Sequence, residues 1–129
     1  MAEYEPGACN IDAEEQRRRY ALGAVSFAAT LGLLFAIYVA DLPTALALAT
    51  FLPLFGTAEG YFQGRYQFCA GYALLGVYNV GDDGIGRTRV ADADARRADR
   101  RRALRVHAYA ALTALAGTIL IYGVGLLIL

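Results

Sequence analysis

The chain has 129 residues, 57% of them hydrophobic, and its twelve arginines and twelve acids cancel to a formal charge of zero. Mean hydropathy is +0.38, and the apolar residues lie in long unbroken runs, which excludes an ordinary soluble domain built from half-polar helices or strands. Two cysteines are too few for a disulfide scaffold.

Residues 1–11 include Pro6-Gly7 and read as an irregular tail. Asp12 with Glu15 fits a capping box, so a helix is expected over 12–40. Its acids sit at the positive end, with Arg17, Arg18 and Arg19 in the next turn. The first 19 residues are polar and acid-rich, unlike a cleavable leader. Residues 20–40 then carry no charge over 21 positions, enough for a helix to cross a hydrocarbon core of about 30 Å. Gly23, Ser26 and Thr30 give this span a stripe of small residues.

The second span is expected over 42–64, with Asp41 as its cap and Pro43 in its first turn. Pro53 should bend it. Gly56, Gly60 and Gly64 repeat every fourth residue and share an arc of about 80°, a face that lets another helix approach closely. Whether that helix belongs to the same chain or to a second copy is open. Glu59 is the one charge in residues 42–63, and Gln63 stands one turn on. A carboxylate inside a span costs about 2.5–3.5 kcal/mol, so Glu59 should face protein or water. A juxtamembrane arginine such as Arg19 or Arg105 is its expected partner, with a proton or cation site as the alternative.

Residues 66–79 are apolar but too short to cross. Six of the fifteen aromatic residues fall between 61 and 78, which suits a headgroup-level helix, interfacial or re-entrant. Residues 80–90 read as a flexible glycine-rich loop. Its "GDDGIGRT" resembles a phosphate-binding loop with Arg87 in place of lysine, but no α/β domain surrounds it, and the match is treated as accidental. Residues 91–129 should form one helix that continues into the third span. Asp92–Arg96, Asp94–Arg97 and Asp99–Arg102 are spaced for ion pairs on it. Arg96, Arg97, Arg100, Arg101, Arg102 and Arg105 would bind anionic lipid headgroups rather than nucleic acid. His107 opens the third span, and Ala110, Ala114 and Gly117 form its small face.

The fold class expected is therefore all-α and integral to a membrane: three transmembrane helices plus a short helix after the second. Arginine-rich short loops stay inside the cell, so an N-terminus inside and a C-terminus outside places every arginine on one side of a plasma membrane. Cys9 and Cys69 would then both meet the reducing cytoplasm. With His107 they match no metal signature, so neither metal nor cofactor is expected.

The stretch "FLPLFGTAEGYFQGRYQFCAGYALLG", with "CN" ahead of an arginine-led first span, resembles a family of small uncharacterised membrane proteins. That family also serves as the membrane anchor of some rhodanese-type sulfurtransferases. The resemblance covers about residues 9–79. It implies a helix-packing membrane module and hints at thiol chemistry around Cys69. Three departures stand out: alanine follows Cys69 where the family has proline, residues 64–67 are extra, and the third span is additional. No rhodanese domain is present, so sulfur transfer does not carry over.

Three functions follow as expectations. The first is a non-enzymatic helix-packing component of an oligomer or membrane complex, partnered by lipid and by its own copies or another membrane protein. The second is a thiol redox or sulfur-handling protein using Cys9 and Cys69. The third is a proton or ion transport oligomer using Glu59. No catalytic residue is assigned.

Overall fold

The computed structural model describes residues 4–80 and 88–128. Its elements run α1 (Ala13–Val39), a 3-10 helix (Thr44–Thr50), α2 (Phe51–Arg65), α3 (Ala70–Leu75), β1 (Val77–Tyr78), β2 (Thr88–Arg89) and α4 (Ala93–Ile128). Three helical segments, Ala13–Val39, Thr44–Arg65 and Ala93–Ile128, are long and apolar enough to cross a membrane. A short helix follows the second. The chain is thus an all-α protein of the multi-pass membrane type.

α1 starts where its cap was expected. Asp12 accepts a hydrogen bond from the Glu15 N–H at 2.9 Å. The box is only half closed, because Glu15 turns to Arg18 and Arg19 at 3.0 and 3.1 Å. The Asp12 N–H goes instead to the Asn79 carbonyl at 2.9 Å. At the other end, Asp41 is not the cap of the second span. It adopts φ +52°, and the Leu42 N–H reaches back to the Ile37 carbonyl at 3.0 Å, a left-handed stop for α1. Pro43 takes the cap position of the next helix.

The second span changes winding part-way. It enters as a 3-10 helix and becomes α-helical at Phe51, two residues before Pro53. Proline has no N–H to donate, and the first turn of an α-helix is where that loss costs least. The irregularity expected from Pro53 is therefore a change of helix type ahead of it.

α2 is the middle helix, packed on α1 along one side and on α4 along another. The glycines decide the first contact. A Cβ on Gly60 would lie 2.6 Å from the Arg19 carbonyl oxygen and from the N and Cα of Gly23. On Gly56 it would meet Ser26 Oγ at 2.7 Å, and on Gly64 the Tyr20 ring at 2.8 Å. The stripe is thus filled by the chain's own first span, which closes the question left open above. Gly23 and Thr30 are buried in return. On α4, Ala110 and Ala114 are buried, and Gly117 lies against Leu54, whose Cδ1 would be 3.3 Å from an added Cβ.

The arginine-rich end carries a small folded cap, built from the irregular tail and a helix shorter than expected. The expected helix over 66–79 shrinks to Ala70–Leu75. Gln67 at φ +48° breaks the chain after α2, and Gly76 at φ +74° ends α3 in the left-handed conformation. Val77–Tyr78 then pairs antiparallel with Thr88–Arg89. The phosphate-loop-like residues 81–87 lie outside the described residues.

Residues 4–11, within the tail expected to be irregular, are pinned to this cap. Asn10 and Ile11 are fully buried. Asn10 Nδ2 donates to the Cys69 carbonyl at 3.0 Å, and its Oδ1 accepts from the Cys69 N–H at 2.6 Å. The Asn79 N–H donates to the Asn10 carbonyl at 2.8 Å. An asparagine side chain carries the donor and acceptor of a peptide group, so one residue satisfies a buried break in the backbone where α2 has ended. Tyr4 stacks on Tyr78 with ring centroids 4.2 Å apart.

α4 runs unbroken for 36 residues, about 54 Å, joining the arginine-rich segment to the third span as expected. Of its three expected ion pairs, only Asp94–Arg97 forms. Asp92 caps the helix through the Ala95 N–H at 3.1 Å. Asp99 is fully buried and accepts from Tyr4 Oη at 2.6 Å and from the Gly7 N–H at 2.8 Å. Asp99 is desolvated and so needs the tail donors, and the exposed Asp92 is taken up by a backbone N–H of the first turn, whereas exposed i,i+3 and i,i+4 pairs contribute little.

Candidate functional site

Glu59 and His107 come from different helices and meet at the arginine-rich end of the bundle. The Glu59 carboxylate bonds His107 Nδ1 through Oε1 and the Gln63 amide through Oε2. Its expected arginine partner is absent, for a geometric reason. Arg19 lies towards α3, paired with Glu15 and over the Tyr72 ring at 5.5 Å, and Arg105 is exposed. Glu59 lies one residue before Gly60, so the close α1 contact there turns its carboxylate away from α1 and towards α4.

The carboxylate side chain is 12% exposed and the imidazole 37%. Phe55 lies nearly parallel to the imidazole, 6.5 Å between centroids and 22° between planes. Two turns along from Phe55, Phe62 contacts both Tyr66 and Tyr109, each at 6.1 Å. Gln63 was singled out with Glu59 from the sequence, and His107 was singled out alone. Joining them needs the α2–α4 register, which a separation of 48 positions hides.

The thiols sit elsewhere, in the cap. Both are free. Cys69 is buried at the start of α3, where its Sγ accepts from the Tyr72 N–H at 3.4 Å. Cys9 donates weakly to the Ile11 carbonyl at 3.6 Å, and burial pushes its thiol up from the ordinary value. A reactive cysteine wants the opposite, an exposed electropositive setting that favours thiolate. Among the described residues no group of three or more His, Cys, Asp or Glu side chains is arranged to hold a metal.

The six arginines of α4 divide by role. Arg96 donates to the Val90 and Ala91 carbonyls at 2.8 and 2.9 Å, clamping the strand end to the helix. Arg102 stacks over Tyr66 at 4.5 Å. Arg97, Arg100, Arg101 and Arg105 remain exposed. The structural duty of Asn10 and Asp99 does not show in the sequence: Asn10 lies outside any helical spacing, and the i,i+3 spacing of Asp99 points to Arg102 rather than to Tyr4 and Gly7.

Among the described residues, apolar grooves flank the bundle. One, about 320 Å³, has a floor of small residues, Thr57, Ala58, Thr113 and Ala114, between walls that include Phe27, Tyr61 and Phe62. Another, about 380 Å³, lies at the far end between α1, the 3-10 helix and α4, lined by residues such as Leu34, Ile37, Leu120 and Val124.

The chain matches no family model, no curated protein and no solved structure. The functional reading rests on the geometry.

Proposed function

We propose that the protein is a non-enzymatic three-span membrane module that joins a larger membrane assembly, either with its own copies or with another membrane protein. The observation that supports this most is the groove floored by Thr57, Ala58, Thr113 and Ala114. Helices associate in lipid through close packing over small residues rather than through hydrophobic burial. The glycine stripe is spent inside the chain, whereas this groove keeps Thr57 half-buried and Thr113 exposed over the buried Ala58 and Ala114, a surface on which a partner helix could seat closely. A Thr113→Phe substitution would fill it from an exposed position. The expected result is a smaller assembly in native-like lipid with an unchanged helical spectrum. An unchanged particle mass would count against the reading.

In this proposal the arginine-rich cap lies at the cytoplasmic face of the plasma membrane and the C-terminus lies outside. Arg97, Arg100, Arg101 and Arg105 then face anionic headgroups, each contributing about 1 kcal/mol near the surface. A reporter fused after Leu129 should be active only outside the cell. Activity in the cytosol would reverse the orientation and sever the arginines from their lipid.

A further inference from the structure

We infer that Glu59 and His107 form a proton-binding site at the arginine-rich end of the span, with Nε2 of His107 as the atom that takes the proton. Both oxygens of the Glu59 carboxylate already face nitrogen, one the imidazole Nδ1 and one the Gln63 amide. For an ionised carboxylate to accept from the imidazole, the ring proton must sit on Nδ1. Nε2 is then the basic atom with no bond among the described residues, on a ring that is 37% exposed. Hydronium gives its proton to Nε2 and leaves as water, producing an imidazolium held against a carboxylate. A metal cation is disfavoured at the same place, because the carboxylate is lined by N–H donors. The proton is the ligand these atoms fit.

The surroundings keep the exchange local. On α1 the nearest charged groups, Glu15 and Arg19, are paired with each other, and Tyr20 packs on Gly64. The 3-10 helix has no titratable side chain. α3 contributes Tyr72, beneath Arg19. On α4, Arg102 covers Tyr66, Arg105 is exposed, and the Tyr109 ring meets Phe62. On α2, Tyr61 and Arg65 are exposed. Since the pair joins α2 to α4, adding the proton converts a neutral-to-anion bond between two spans into a charge-assisted ion pair, which tightens that joint.

His107 is the only histidine of the chain, so histidine-selective nitrogen labelling of the full protein in lipid nanodiscs reports this site alone. At neutral pH the Nδ1–H tautomer should exceed the other by about tenfold or more. On acidification from alkaline to acid pH the ring should become imidazolium by gaining its proton at Nε2. Glu59→Gln should abolish the tautomer preference. A wild-type ring in the Nε2–H form, or one that stays neutral across the range, overturns the proposal without reference to any variant. A Glu59→Gln spectrum identical to wild type does so as well.

Discussion

Replacing Gly60 by alanine tests how the three spans are held together. The added methyl would stand 2.6 Å from three backbone atoms of α1. Backbone atoms cannot swing aside as a side-chain tip does. Relief requires α1 and α2 to separate by about 1 Å, the difference between that distance and ordinary contact at about 3.5–4.0 Å. Such a shift loosens every pair along the interface, including Gly56 against Ser26 and Gly64 against Tyr20. Overpacking of this sort costs about 1–3 kcal/mol, and the rigid neighbours put Gly60→Ala at the upper end. Gly32 and Gly123 give an internal standard, because an added Cβ there meets nothing within 4 Å. Alanine at either should be neutral or stabilising by up to about 1 kcal/mol through helix propensity. Gly23→Ala should fall between, its nearest contact being the Thr57 carbonyl oxygen at 3.2 Å. Reversible unfolding in mixed detergent micelles would rank the four, with particle mass followed in parallel. Equal stability of Gly60→Ala and Gly123→Ala would refute the intrachain packing. Loss of an oligomer with no loss of chain stability would place the glycines between copies instead.

Three further outcomes follow, two from the cap and one from the far end of α1. Asn10→Ala leaves the buried Cys69 N–H without its partner, while the Cys69 carbonyl keeps the bond from the Ala73 N–H at 3.1 Å; at about 1–3 kcal/mol for the orphaned donor, the docked segment should loosen, seen as faster hydrogen exchange at Cys69. The Tyr4 phenol is held far above its ordinary value, chiefly by burial and then by its bond to the Asp99 carboxylate. Its contribution is therefore complete below about pH 10 and is lost as pH rises beyond that, so tail docking should weaken in alkali, and Tyr4→Phe should flatten the dependence. Asp41→Gly should stabilise by about 0.5–1 kcal/mol, read as a higher unfolding midpoint, since glycine adopts φ +52° without strain.

Much of the span architecture was legible in the chain itself. Uncharged runs of membrane length dictate helices, because a backbone in lipid must satisfy its own hydrogen bonds. Asp12 as a cap, the union of the arginine-rich helix with the third span and a short helix after the second all follow from local rules. What local rules left open was pairing. Four-residue glycine spacing announces a contact face but not its occupant; Arg19 and Gly23 of α1 occupy it. Glu59 announces a need for a partner, and an arginine is the nearest candidate by sequence. His107 wins because the close Gly60–Gly23 approach turns the carboxylate towards α4.

The tail and the post-span segment show the same limit from the other side. Pro6-Gly7 and the short apolar run after Arg65 suggest a loose end and a surface helix when read separately. Brought together, Asn10 supplies the backbone bonds that the break at Gln67–Cys69 lacks, and Asp99 supplies an acceptor for Tyr4 and Gly7. Residue order sets which segments are dry and how each winds, because hydropathy and helix geometry act over a few turns. Only the packed chain decides which polar atoms meet, because the energy of a desolvated donor or acceptor depends on a neighbour that may be 59 or 92 positions away.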